Sequence, residues 1–399
     1  MKRTILATTV CVTMFFCLLG TSAKSNTNIF LAEKCSLPDT TNFAHKIEPP
    51  KYWKNLFDSI YYKHYGRYSY KVIYQQYSTS ANSAKYYYLA NGIDALNTMY
   101  QTSLDTTYLN EAIRFTKNVL KSAVVSNQIE NSTFKDSYLG WPDINEPEKV
   151  NGQEIPLCES IFFKYVLKTL YIIKENKKLY ATKEYQEFYE TTLNFIEENI
   201  WNKWYHRGES NLIRSRTHMA SHWAFIAMYL EKLSENNTIK NQCSEIKEKL
   251  NQKFKKQLVV DYKNNCIWNQ TWDDEVKKPI VQDVNHGNHF VSYLVESTRL
   301  NDFFTTTDLM YIENTLLNII WDSESCYLHD NIDGTDQGNK KDCFFVADGF
   351  MKMAEWNKAL FLLFQDKKAT FLTNYQPQFY ANMYNLSTKY SRKNGNKTK

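Results

Sequence analysis

YYYLANGIDALNTMY, residues 86–100, and YLNEAIRFTKNVLKSAVV, residues 108–125, flank a short polar link containing LDTT at 104–107. Apolar residues recur three and four positions apart in both stretches, the spacing of one buried helix face, so together they predict a helical hairpin. The same pattern returns at 157–175 with 181–200, at 217–234 with 238–257, at 286–299 with 305–320 and at 347–365 with 368–384. A further helix is expected over 51–77.

The joints repeat as well as the helices. NFIEENIWNKWYHRGE (194–209), KKQLVVDYKNNCIWNQTWDDE (255–275) and LLNIIWDSESCYLHDNIDG (316–334) each pass from an apolar close into an aromatic, polar link. Links of this length are uncommon in a compact domain unless they line a site. An open solenoid would show short, uniform links and a tighter repeat. The expected fold is therefore all-α, an α/α toroid of about six helical hairpins, with first helices inside and second helices outside, forming one domain over 51–386.

Composition agrees, since 43% apolar and 15% aromatic residues suit a large core, while 11 Gly and 8 Pro are too few for a sandwich or barrel. The first residues, MKRTILATTVCVTMFFCLLGTSA, carry two positive charges, an apolar run from Ile5 to Leu19 and small residues to Ala23. That is the pattern of a signal peptide over 1–23, and the run is shorter than the ~20 residues a spanning helix needs. A secreted or periplasmic protein without stable membrane insertion is expected, with an N-terminal extension at 24–50 and a polar basic tail at 387–399.

The formal charge of +5 includes Lys2 and Arg3 in the leader and five basic residues in the tail, which leaves the body at −2. A nucleic-acid binder of this size would carry a basic excess, so that class is set aside. Six cysteines follow the leader: Cys35, Cys158, Cys243, Cys266, Cys326 and Cys343. Cys326 and Cys343 could close one loop, or remain buried thiols.

Six of the eight histidines fall between His206 and His329. In DVNHGNHFVSYLVE (283–296), a helix starting near Asn285 places His286, His289 and Tyr293 at i, i+3 and i+7 on one face, with Asn288 nearby and Asp283 or Asn285 as cap. In RSRTHMASHWAFIAMYL (214–230), His218 and His222 lie at i and i+4, with Ser215 or Thr217 as cap. Arg207, Arg214 and Arg216 stand just before them, and Arg forks suit carboxylates, sulfates or phosphates. The plain alternative for both clusters is a hydrogen-bonded core network with ordinary loop solvation. A third cluster, DSYLGWPDINEPE (136–148), holds Tyr138, Trp141 and Asp143. With Trp201, Trp204, Trp268 and Trp272 in the other links, aromatic faces beside polar groups point to a carbohydrate groove.

No metal site and no cofactor are expected, because HExxH and CxxC are absent and no Cys or carboxylate falls at ligand spacing from the histidines. A Ser-His-Asp triad lacks a GxSxG.

RTHMASHW and QDVNHGNHFVSY, set in a helical body of this kind, resemble the secreted α/α-toroid lyases of acidic polysaccharides, the alginate-lyase and related uronate-polysaccharide lyase families. The Asn-Asn-His signature of one such family is missing. The resemblance implies β-elimination on an acidic, alginate-like polysaccharide: Arg216, His218 or Asn288 would neutralise the uronate carboxylate, and Tyr293, His286 and His222 would move protons. His289, Tyr138, Trp141 and Trp272 would complete the substrate contacts. Two other readings stay open, a toroid glycoside hydrolase or epimerase using paired carboxylates among Asp143, Asp283, Asp330, Asp333 and Asp348, and a non-catalytic glycan-binding protein.

Overall fold

Helices buried around most of their circumference alternate along the chain with helices buried on one side only. In α9 (Thr217–Leu233) nearly every side chain is buried, whereas the following α10 (Asn237–Gln257) buries Ile239, Cys243, Ile246, Lys247, Leu250, Asn251 and Phe254. The first pattern belongs to a helix packed on all sides, the second to an outer helix facing solvent. The computed structural model describes residues 47–63, 68–145, 149–272, 280–325, 327–336, 346–366 and 375–395. All described residues lie in one compact unit within Cys35–Lys399. The expected leader, most of the 24–50 extension and the Cys326–Cys343 pair fall outside the described residues.

Six inner helical segments close a ring. These are α3 (Ser83–Ser103), α5 (Pro156–Glu175), α9, α11 (Val284–Arg299), the short α13 (Gly349–Lys352) and α15 (Gln376–Gly395). Each packs on the next, and α15 packs back on α3. The outer partners are α4 (Thr106–Lys121), α7 (Lys183–Ile196), α10, α12 (Thr306–Thr315) and α14 (Lys358–Asp366), while α1 (Pro50–Tyr62) covers α15. Three short helices fill in: α2 (Tyr70–Ser78) against α3 and α4, α6 (Lys177–Tyr180) before α7, and α8 (Lys203–His206) after it. The all-α ring expected from the sequence is thus a closed toroid of six hairpins, the sixth made from the two ends of the domain.

That last pairing differs from the expectation. Residues 347–365 do not form one inner helix, because the chain breaks after Trp356 and the Asn357 side chain accepts from the Ala359 N–H to start α14. The phase then shifts, and α15 becomes an inner helix whose outer partner is α1. The expected helix 51–77 is likewise two helices, the second capped by Ser69. Nor does the domain end at 386. α15 runs to Gly395, Ser387 donates to the Glu48 carbonyl at 2.6 Å, and the Tyr390 hydroxyl donates to the Ala354 carbonyl at 2.6 Å.

Chain direction places the links. Inner helices run into outer ones through short turns, such as the left-handed Leu104 and Asn301, whereas outer helices return to inner ones through long segments. All four two-stranded ribbons among the described residues lie in those long links: Val124–Val125 with Leu139–Gly140, Asp143–Asn145 with Lys149–Gln153, Val259–Val260 with Cys266–Ile267, and Trp321–Asp322 with Tyr327–Leu328. Successive links are stitched by bridges Arg216 to Thr271 and Asp283 to Asn331, and the link between α10 and α11 is closed on itself by Asn269 to Val281. The long links and the N-termini of the inner helices therefore share one end of the ring, its mouth.

Gly349 sets how closely α13 approaches α11. A Cβ there would stand 2.2 Å from the Ser292 nitrogen and 2.4 Å from the Asn288 carbonyl oxygen, both backbone atoms. Gly349→Ala is expected to cost about 3 kcal/mol or more, read as a fall in the thermal midpoint. An unchanged midpoint would mean that the two helices are not in backbone contact.

Candidate active site

Asp283 begins the site by capping α11. Its carboxylate accepts from the His286 backbone N–H at 2.9 Å, from His286 Nδ1 at 2.9 Å, from Gln282 Nε2 at 3.1 Å and from Gln270 Nε2 at 3.2 Å. Burial works to raise its pKa, but the bonds and charge of His286 hold it below the usual carboxylate range. With Nδ1 engaged by a carboxylate, Nε2 is the nitrogen free to accept a proton. The His286 side chain is 38% exposed, against 17% for Asp283, so the imidazole opens to the mouth.

A second imidazole lies beside it, the His218 ring centroid standing 4.3 Å from that of His286. His218 is buried with Nδ1 unpartnered, and burial, then the charges of His286, His289, Arg216 and Arg214, push its pKa well down. It is neutral at neutral pH. Arg216 is exposed at the N-cap of α9, Arg214 is half-buried, and neither makes an ion pair among the described residues.

One turn deeper, His289 Nε2 lies 3.4 Å from the Tyr87 hydroxyl and its Nδ1 lies 3.7 Å from Asp348. Burial, opposed by Asp348 and reinforced by Lys164, lowers the pKa of His289 to about 4. Tyr87, half-buried on α3, has its pKa raised by burial, then by Tyr375, Cys158, Tyr88 and Asp283, so the hydroxyl keeps its proton. Tyr87, His289 and Asp348 thus form a hydroxyl, imidazole and carboxylate in line. On α5's side of the mouth Asp143 is buried, accepts from the Cys158 thiol at 3.4 Å and leaves Oδ1 unpartnered; burial raises its pKa.

Below this tier the ring axis is filled with charge. Asp348 accepts from Ser292 at 2.8 Å, from Tyr165 and from Lys352; Lys352 also bonds Asp94 at 2.7 Å. Lys168 lies 3.9 Å from Asp94 and 3.2 Å from Glu296, which pairs with Arg299 at 3.3 Å. Burial opposes the charge on Glu296, yet Lys168 and Arg299 hold its pKa at about 2. Charges this deep persist because each is compensated.

The sequence-predicted residues divide. His218, His222, His286 and His289 do converge, with the His222 and His289 rings 5.2 Å apart. His222, however, is enclosed completely, both ring nitrogens lacking a partner, so it is corrected from a proton-transfer candidate to a buried neighbour of the site. Tyr293 is also corrected. Its hydroxyl donates to Asn251 of α10 at 2.7 Å, between Phe254 and Phe304, on the outer side of α11. Asn288 is buried and accepts from the Phe350 N–H at 3.1 Å, clamping α13 rather than facing the mouth. Trp141 is core, its indole N–H bonded to Ser122 at 3.0 Å.

Trp201, Trp204 and Trp268 are buried too, and Trp272 alone of the link tryptophans is half-buried, against Phe254 and one backbone bond from Ser215. Tyr138 pairs with His206 at 2.8 Å, away from the four histidines. Arg207 is spent on Asp136 and Glu154, and neither Ser215 nor Thr217 caps α9, Thr217 donating instead to the Asn269 carbonyl at 2.8 Å.

Tyr87 went unpredicted because YYYLANG reads as a core helix face. A signal for the axial charges was available in IFFKYVLKTLYIIK (161–174), where Lys164 and Lys168 interrupt an otherwise apolar helix and must find buried partners. Among the described residues no three His, Cys, Asp or Glu side chains are placed to hold a metal ion, and Cys158, Cys243 and Cys266 are free buried thiols. No helix among them is long and apolar enough to cross a membrane.

No family model matches the chain, and no curated protein matches it. Among solved structures, an inactive variant of the α-1,6-mannanase GH76A of Salegentibacter sp. HEL1_6, in complex with α-1,6-mannotetrose, is similar over 85% of this chain and 99% of that one, with a TM-score of 0.48 and 10% identity. At that level the likeness transfers neither residues nor activity, and ring closure rests on the helix packing itself. None of these comparisons supports the resemblance to uronate-polysaccharide lyases.

Proposed function

We propose that the chain is a polysaccharide-processing enzyme whose acid and base at the ring mouth are an imidazole and a tyrosine hydroxyl, acting by β-elimination on a uronate. The observation that carries this reading is the Asp283–His286 pair, with an exposed imidazole 4.3 Å from a second, neutral imidazole and next to two arginines without ion-pair partners among the described residues. Arg214 and Arg216 would bind the uronate carboxylate and stabilise the charge that develops as the C5 proton leaves. His286 Nε2 takes that proton, and Asp283 stabilises the imidazolium. The C5 electron pair becomes the C4–C5 double bond as the C4–O4 bond breaks, and the Tyr87 hydroxyl protonates O4. His286 then releases the C5 proton to water at the mouth and the half-buried Tyr87 regains one from it, while His289, 3.4 Å away, holds the Tyr87 hydroxyl in position.

Asp283 at the mouth and Asp348 on the axis fit a carboxylate-pair mechanism less well, since Asp283 is occupied by four donors and Asp348 by Ser292, Tyr165 and Lys352. One observation favours hydrolysis as a second reading: Asp143, with its pKa raised by burial and one oxygen unpartnered, has the direction of shift a general acid needs.

Products decide between the two. Alginate, glucuronan, hyaluronan, chondroitin, pectate and a neutral α-1,6-mannan are offered to the protein while ultraviolet absorbance and reducing ends are followed. Elimination raises absorbance through the unsaturated uronate; new reducing ends without absorbance would move the chemistry to Asp143. Tyr87→Phe is expected to lower turnover about 100-fold with binding retained. Wild-type turnover in that variant would remove Tyr87 from the mechanism.

A further inference from the structure

Arg214 and Arg216 bring two positive charges to the ring mouth, where the reaction proposed above uses one carboxylate. A carboxylate offers about four acceptor positions and a single charge, whereas each guanidinium carries about five N–H donors in a fixed fork. Neither guanidinium has a hydrogen-bond or ion-pair partner among the described residues. Arg214 is half-buried, and burial, then the charge of Arg216, work against its own charge. A cation held partly out of water beside a like charge is costly until an anion joins it.

Three further features turn the same place toward an anion. The backbone is set in advance, since Arg216 bridges Thr271 and the Thr217 N–H bonds the Gln270 carbonyl at 2.8 Å. Arg216 gives α9 no side-chain cap and the first turn carries no acidic residue, so the positive end of that helix is not neutralised. His218, in the first turn, is only 2% exposed, and its Nδ1 is sealed without a partner. Its Nε2 also lacks a protein partner but is not sealed, and in the Nε2–H tautomer of the neutral ring it adds one more donor.

From two unpaired forks, an uncapped helix N-terminus and a buried imidazole without a protein partner, we infer that this corner of the mouth is a site for a tetrahedral oxyanion of the sulfate class. Its additional oxygens occupy the donors that one carboxylate leaves idle. The anion is a sulfate ester carried by the polysaccharide beside the uronate, or the free ion competing with it. The inference rests on the function proposed above for the place of the site and not for the elimination step.

Calorimetry and melting curves of the full chain in sodium sulfate, sodium acetate and sodium chloride, at matched ionic strength, test it. Sulfate is expected to bind about tenfold more tightly than acetate and to raise the thermal midpoint. Arg214→Gln and, separately, the exposed Arg216→Gln should each weaken sulfate about tenfold, yet melt in chloride no lower than the wild type, because the charge removed had no partner. Sulfate no tighter than acetate, or sulfate binding unchanged in both variants, would overturn the inference. Chondroitin sulfate and the same polymer after desulfation, offered to His286→Ala, separate the two sources: a preference for the sulfated form assigns the site to the ester, and equal or absent binding assigns it to the free ion. Sulfate binding that persists while no polymer yields an unsaturated uronate would remove the elimination and leave this site standing.

Discussion

His286→Ala is expected to lower turnover by about 10²- to 10⁴-fold while leaving substrate binding and the thermal midpoint close to those of the wild type. The rate falls because His286 is both open to solvent and oriented by a carboxylate, Asp283 fixing Nδ1 at 2.9 Å. Stability should survive because Asp283 still caps α11 through the backbone N–H of residue 286 and still accepts from Gln270 and Gln282. Imidazole added to the buffer should recover part of the rate by occupying the vacated space. A loss of rate accompanied by a matching fall in midpoint would instead make His286 a structural residue.

Asp348→Asn is expected to produce the largest stability effect, about 3–5 kcal/mol by denaturant titration. Asp348 is the acceptor for Ser292, Tyr165 and Lys352, and it faces His289 and Lys164 at 3.7 and 3.9 Å. Removing its charge leaves Lys352 and Lys164 under-compensated at the ring axis, where water does not reach. A loss below 1 kcal/mol would show that the axial column is solvated.

The wild type carries a related pH signature. His289 has a folded pKa of about 4, below the ~6.5 of an unfolded histidine. Its contribution is complete above pH ~6.5 and is lost as the pH falls toward 4, because the unfolded chain takes up a proton that the folded one refuses. His218 and His222 are depressed in the same direction, and the depressed carboxylates Asp348 and Glu296 extend the loss to lower pH. The thermal midpoint should therefore fall steadily from pH 6.5 to 4.

The hairpins were legible because an inner helix and an outer helix write different apolar patterns, and the repeated aromatic links marked where one handed over to the next. What failed was local. Asn357 restarts a helix inside an apolar run, and no periodicity records that a side chain competes with the backbone there. Histidine convergence followed from i, i+3 and i+4 spacing, but the face of α11 turned to the axis is His289, Ser292, Glu296 and Arg299. That register excludes Tyr293 although it sits two turns from His286. The link tryptophans misled because an indole outside the long helices can serve as an anchor: Trp141 bonds Ser122, Trp201 bonds Gln242 at 2.9 Å and Trp204, on the short α8, bonds Glu159 at 2.7 Å, pinning these segments to the body. Tyr87 reaches the site only through ring closure, 202 positions from its histidine partner, and nothing local in the sequence carries that contact.

The most direct test is turnover of the best polysaccharide by the wild type, His286→Ala and Tyr87→Phe, each with its melting curve and substrate affinity recorded. The account predicts that both variants melt and bind like the wild type and lose at least 99% of the rate. Wild-type rates in either variant would contradict the placement of the reaction at the ring mouth.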